Sequence, residues 1–169
     1  MAWLTVALLC LGQACVPQSD RVATRWLRAS CGSGETADSD VELRAAGDSA
    51  ADALRRAYSG GSGHLADEAA IEAGKHYDQV IDALDHGRTY GLSTSEVDAI
   101  RRETKPVHVR RARDDFEDSY RSAALTGLAV IGRPRDLTML RGIALDTSSD
   151  YRDAAASALE YAGIPVTPP

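Results

Sequence analysis

The stretch YRSAALTGLAVIGRP, residues 120–134, recurs 31 residues further on as YRDAAASALEYAGIP, residues 151–165. Tyr120/Tyr151, Arg121/Arg152, Ala123/Ala154, Ala124/Ala155, Leu128/Leu159, Gly132/Gly163 and Pro134/Pro165 are identical pairs, and Gly127 faces Ala158 as a second small residue. Self-similarity at a period of this size marks a stack of helix pairs, each unit burying a face that it cannot bury alone. The shared residues have mechanical roles. The paired alanines let a helix sit close to its neighbour, and the leucine is the core knob. The glycine permits a left-handed C-cap, and the proline opens the next helix without needing an N–H.

The composition agrees. Of 169 residues 44% are hydrophobic but only 5% are aromatic, and Phe116 is the only Phe. Core volume therefore comes mainly from Ala, Leu, Val and Ile. Alanine has the highest helix propensity and allows backbones to approach. Runs of β-branched residues long enough for a strand are absent, so the expectation is an all-α chain of about seven or eight helices in antiparallel pairs.

Working outward from the repeat, punctuation by Gly and Pro divides the chain. Asp20 to Cys31 reads as a short helix with Val22, Trp26 and Leu27 on one side and Arg21, Arg25 and Arg28 facing water. Ser39 is read as the N-cap of a helix ending near Gly47, and Asp48 as the cap of the next, which carries Ala50, Ala53, Leu54, Ala57 and Tyr58. Ser59-Gly60-Gly61-Ser62-Gly63 is a break and is read as a plain turn, because no GK[ST] ending follows and no strand precedes it. A long helix from His64 to about Asp85 shows the stripe Leu65, Ala69, Ala73, Tyr77, Val80, Ile81 and Leu84. Ser93-Thr94-Ser95-Glu96 has capping-box spacing and opens a helix with Val97 and Ile100, which Pro106 ends or kinks. A second long helix, from about Val107 to Ile131, carries Ala112, Phe116, Tyr120, Ala123, Ala124, Gly127, Leu128 and Ile131. Two shorter helices complete the chain.

Residues 1–14, MAWLTVALLCLGQA, hold no charged side chain, and their apolar run is too short to span a bilayer. They read as a signal peptide cut before Cys15, with Gly12 and Ala14 as the small residues of the cleavage site. Residues 15–19 would form a tether and residues 20–169 a single helical domain. LGQAC resembles a bacterial lipoprotein signal, which implies lipidation of Cys15 and a place in the periplasm or on the outer membrane. With ordinary cleavage the protein would instead be secreted and soluble. Cys15 and Cys31 would then be free to form a disulfide worth about 3 kcal/mol on the chain-entropy view.

No catalytic or metal constellation is legible. The four histidines are His64, His76, His86 and His108; Asp78, Asp82 and His86 share a helix face, but no HExxH or paired-Cys pattern accompanies them. Asp114-Asp115 and Glu117-Asp118 are adjacent pairs, whose side chains point about 100° apart on a helix and so do not converge. The cluster Arg110-Arg111-Ala112-Arg113 is read as a face laced with (i, i+4) ion pairs. A net charge of −6 opposes a sequence-independent nucleic-acid binder.

The repeat resembles the short bacterial HEAT-like repeat, also found in phycobilisome lyases. Arg121-Ala123-Ala124-Leu128-Gly132 and Arg152-Ala154-Ala155-Leu159-Gly163 match that family's second helix. The likeness spans about residues 116–165, with a degenerate echo over 47–74 in Gly47-Asp48, Leu54, Ala69-Ala70 and Gly74. It implies an α-α superhelix, or an irregular helical bundle carrying two good repeats. The function it implies is a non-catalytic scaffold or adaptor that binds a protein or peptide without a cofactor. Arg121 and Arg152 are candidates for that surface, and structural pairing with acids is their alternative role. A second reading is an enzyme, or an enzyme's accessory subunit, acting on a cofactor or small ligand.

Overall fold

The computed structural model describes residues 18–31 and 37–167. The signal segment 1–14 and Cys15 lie outside the described residues, as does the side chain of Cys31. Among the described residues there are seven helices and no strand: α1 (Gln18–Cys31), α2 (Ala37–Gly60), α3 (His64–Asp85), α4 (Thr94–Arg102), α5 (Lys105–Ile131), α6 (Pro134–Leu145) and α7 (Arg152–Tyr161). No described helix is long and apolar enough to cross a membrane.

The predicted punctuation falls where the helices break. Gly132 and Gly163 both have positive φ, 73° and 70°; Gly132 caps α5 directly, whereas Gly163 follows Ala162, the cap of α7. After Gly163 the Ile164 N–H reaches back to the Leu159 carbonyl at 2.8 Å, satisfying one of the carbonyls that a helix end leaves open. Pro134 stands in the first turn of α6. Pro106 stands in the first turn of α5, so it opens that helix and α4 stops before it, at Arg102. Residues 18 and 19, assigned from sequence to the tether, already belong to α1. Ser39 lies inside α2 and not at its cap: the helix begins at Ala37, so Asp38 and Ser39 occupy the first turn. The break expected at Gly47 is present: within α2 that residue has non-helical backbone, φ 58° and ψ −132°, and joins two helical segments across a kink.

α5 is the axis of the molecule. α2 and α3 lie end to end and antiparallel to it: Arg44 at the start of α2 meets Val130, Ser62 beyond its end meets Glu117, and Gly74 of α3 meets Lys105 and Val109. α1 crosses α2 and α5, its Trp26 indole donating to the Ala123 carbonyl at 3.2 Å in the core. The α6–α7 hairpin covers the remaining side of the C-terminal half of α5. That half is thus packed on most of its sides, and Tyr120, Ala123, Ala124, Leu125, Gly127, Leu128, Ala129 and Val130 are all buried, a wider face than the single stripe expected. Leu43, Leu54, Leu125, Leu128, Leu140 and Leu159 are fully buried, each worth about 1.5–3 kcal/mol of transfer energy, with alanines filling the gaps between them.

The inner face of α3 is rotated from the expected stripe. Ala66, Ala70, Gly74, Ala83 and Leu84 are buried, whereas Leu65, Ala69 and Ala73 are half-buried and Ile71 is exposed. The smallest side chains face α5 because the helices approach closely there: a Cβ on Gly74 would lie 3.3 Å from both Lys105 and Val109.

Candidate functional site

The sequence-assigned surface residue Arg121 is half-buried where the α2–α3 turn meets α5. Its Nε donates to Glu117 Oε1 at 2.7 Å, one helical turn earlier. The other carboxylate oxygen of Glu117 accepts from the Ser62 backbone N–H at 2.9 Å and from Ser62 Oγ at 2.5 Å. Burial alone would push the Glu117 carboxyl up, but the hydrogen bonds from Ser62 and Arg121 outweigh it and hold the group below its ordinary range. Gly61, φ 77°, passes so close that a Cβ would fall on the Glu117 carboxylate. Beside this group the Tyr58 and Tyr151 rings meet edge to face, centroids 5.6 Å apart, and Tyr151 Oη donates to Asp118 Oδ1 at 2.9 Å. Burial, reinforced by that hydrogen bond, pushes the Tyr151 phenol up to about 12. The arrangement clips a glycine turn and the start of α7 to α5, so Arg121 serves packing, the alternative weighed for it from sequence. Arg152 is exposed and pairs with its neighbour Asp153 at 3.0 Å.

A second polar seam, between α2 and the α5–α6 corner, was not foreseen. Asp136 is 1% exposed, and Arg55 grips it with both ends of its guanidinium, Nε to Oδ1 at 2.7 Å and Nη2 to Oδ2 at 3.1 Å. The same arginine also bonds Asp52, and these carboxylates hold its guanidinium pKa above the ordinary value. Arg44 caps the end of α5 at the Val130 carbonyl, 3.1 Å, and Arg133 pairs with Asp48 at 2.8 Å while lying over the Gly47 kink. A forked arginine on a buried acid fixes both distance and angle, so the seam sets the register of α2 against α6. The residues involved lie 81 apart in the chain, and nothing local in the sequence marks them as partners.

The histidines do not gather. His86 Nδ1 donates to the Asp82 carbonyl at 2.7 Å and lies beside the Asp82 carboxylate at 3.4 Å, an exposed arrangement that raises its pKa through the Asp82 backbone first. His108 lies 3.3 Å from Glu103, which Arg111 also holds at 2.8 Å. Among the described residues no three His, Cys, Asp or Glu side chains are placed to hold a metal. The basic cluster finds its acids across helix boundaries, Arg111 with Glu103 and Arg113 with Asp67 of α3, where (i, i+4) pairs along α5 had been expected.

Two exposed surfaces stand out among the described residues. One is the arm formed by the α3–α4 loop and α4. α4 buries no residue and makes no extensive contact with another helix. The predicted capping box is formed, with Ser93 Oγ accepting from the Glu96 N–H and the Glu96 carboxylate accepting from the Ser93 N–H at 2.8 Å. The arm is fastened at its base by Arg101, which donates to the Leu84 carbonyl at 3.2 Å, and by Tyr77 Oη on the Glu103 carbonyl at 2.6 Å. Between Gly87 and Gly91, both left-handed, sits Tyr90 with φ 51°, the one non-glycine residue of positive φ among those described, 77% exposed. The other surface is the outer side of α1. There Arg21, Thr24, Arg25 and Arg28 line a shallow depression of about 480 Å³, while a separate one of about 320 Å³ opens between α1, α2 and α5, lined by Ala23, Leu27, Ala53, Arg56 and Tyr120 among others.

No family model, curated protein or solved structure matches this chain.

Proposed function

We propose that the chain is a non-catalytic protein-interaction scaffold or adaptor of HEAT-like construction, exported to the bacterial cell envelope and held there by lipid on Cys15. The observation that carries the interaction role is the α4 arm. A tyrosine in left-handed backbone costs about 1–3 kcal/mol, and such strain collects at sites of recognition. Tyr90 bears that cost while exposing 77% of its surface, so its ring gains nothing from the fold in return. Beside it, α4 keeps Val97 and Ile100 only half-covered, an amphipathic turn suited to the groove or sheet edge of a partner. An exposed aromatic next to apolar side chains is the composition of an interface centre.

The test is site-specific photocrosslinking in intact envelopes, with the reactive side chain placed at Tyr90, at Val97 and, as a remote control, at Asp153. The expected result is a discrete crosslinked protein at the two arm positions and none at the control. Crosslinks confined to the control, or absent from the arm, would refute the assignment.

A further inference from the structure

We infer that the outer face of α1 is a docking face for anionic phospholipid headgroups, an inference that rests on the reading of Cys15 as the point of lipid attachment. At about 100° per residue, Arg21, Arg25 and Arg28 fall within about 60° of one another on the helix. The buried residues Ala23, Trp26 and Leu27 lie on the opposite side, so the row points directly away from the core. Arg25 shares its charge with Glu42 at 2.8 Å, in a pair whose members are both more than half exposed. Arg21 and Arg28 are exposed and make no ion pair with any described residue. In a chain of net charge −6 this is a localised positive strip.

Chain length selects the occupant. Cys15 is three residues before Gln18, the first residue of α1, and three residues reach at most about 10 Å. Arg21 then follows one helical turn later, about 5 Å along the axis. An acyl chain on Cys15 would therefore hold the start of α1 within about two Debye lengths of the bilayer surface. With α1 lying along that surface, the arginine row faces the headgroups and the whole fold stands on the far side.

The experiment uses the chain from Val16 onward, which contains every described helix and carries no lipid, in co-sedimentation with vesicles at low salt. Vesicles of phosphatidylcholine alone are compared with vesicles also containing phosphatidylglycerol. Binding is expected only to the second, and to be lost at high salt. An arginine near an anionic surface contributes about fivefold, so Arg21→Gln/Arg28→Gln should weaken binding about 25-fold. The control Arg110→Gln/Arg135→Gln, two exposed arginines elsewhere, should leave it unchanged. Equal binding to both vesicles, an equal loss in the control, or an α1 row needed only to hold an acidic polypeptide would overturn the inference. Intact mass of the envelope-extracted protein tests the anchor separately. An unmodified Cys15 together with charge-dependent vesicle binding would remove the anchor and support the face.

Discussion

Gly127 and Gly142 both sit inside helices, and replacing each with alanine should move stability in opposite directions. In a helix interior Gly→Ala gains about 1 kcal/mol, through backbone entropy and propensity. At Gly142 of α6 nothing lies within 4 Å of the added Cβ, so Gly142→Ala should keep most of that gain. At Gly127 of α5 the same atom would lie 2.8 Å from Leu54 Cδ1, 2.8 Å from Trp26 Nε1 and 3.3 Å from Leu43 Cδ2. Ordinary carbon contacts are about 3.5–4.0 Å, so both close neighbours must retreat by about 1 Å. Neither has room: Leu54 is fully buried, and Trp26, 3% exposed, is held by its bond to the Ala123 carbonyl. Overpacking of this kind costs about 1–3 kcal/mol, and a weakened indole hydrogen bond about 1 kcal/mol more. Set against the propensity gain, Gly127→Ala should lose about 2 kcal/mol, or about 4–8 °C in Tm for a domain of this size. Urea unfolding followed by circular dichroism reads both variants. If Gly127→Ala proves as stabilising as Gly142→Ala, the close crossing of α1, α2 and α5 is not where the structure places it.

Three further outcomes follow from the polar contacts. Asp136→Ala should cost about 2–3 kcal/mol in urea unfolding, below the full 3–5 for a broken buried pair because the Arg55 side chain is 25% exposed and can recover some water; Arg55→Met/Asp136→Leu should be closer to the parent than Asp136→Ala. Glu117→Ala should lose about 2 kcal/mol at neutral pH. Because the Glu117 carboxyl is held below its ordinary value of 4.5, its contribution is complete above that pH and disappears as pH falls through the lowered folded value, so stability curves of parent and variant should converge in acid. Tyr151, raised to about 12, should be among the last tyrosines to ionise in an ultraviolet titration; its stabilising share is present below pH 10 and lost as pH rises toward 12. Asp118→Asn should lower that value while leaving it above 10, because burial is the larger cause.

Helix ends were legible because their determinants are local. Gly132, Pro134, Gly163 and the Ser93–Glu96 box carry their geometry in one or two residues, and they stand in the structure as read. The composition likewise announced a core of leucine and alanine. What sequence did not reveal depends on packing between distant segments. The α3 stripe was read from the bulk of its hydrophobes, yet the face that meets α5 is chosen by smallness, with Gly74 at its centre. The Arg55–Asp136 clasp joins two residues that look like ordinary surface charges when read singly. Tyr90 could be placed in a loop by Gly87 and Gly91, but its own positive φ has no signal in the residue type. Arg121 was marked by its recurrence, and the structure shows that its partner, Glu117, lies just ahead of the matched stretch and has no counterpart acid at residue 148, which is Ser.

The central claim is that the C-terminal half of α5 is the buried centre of the fold and that α4 is a free arm. Hydrogen exchange of the purified protein, resolved by segment, tests it most directly. Amides of residues 124–130 should be the slowest in the molecule, exchanging only through global unfolding and at least about a thousandfold more slowly than those of α4, which should open locally. Protection of α4 equal to that of the α5 core in the isolated protein would contradict the account, since the arm would then belong to the core and have no surface to offer.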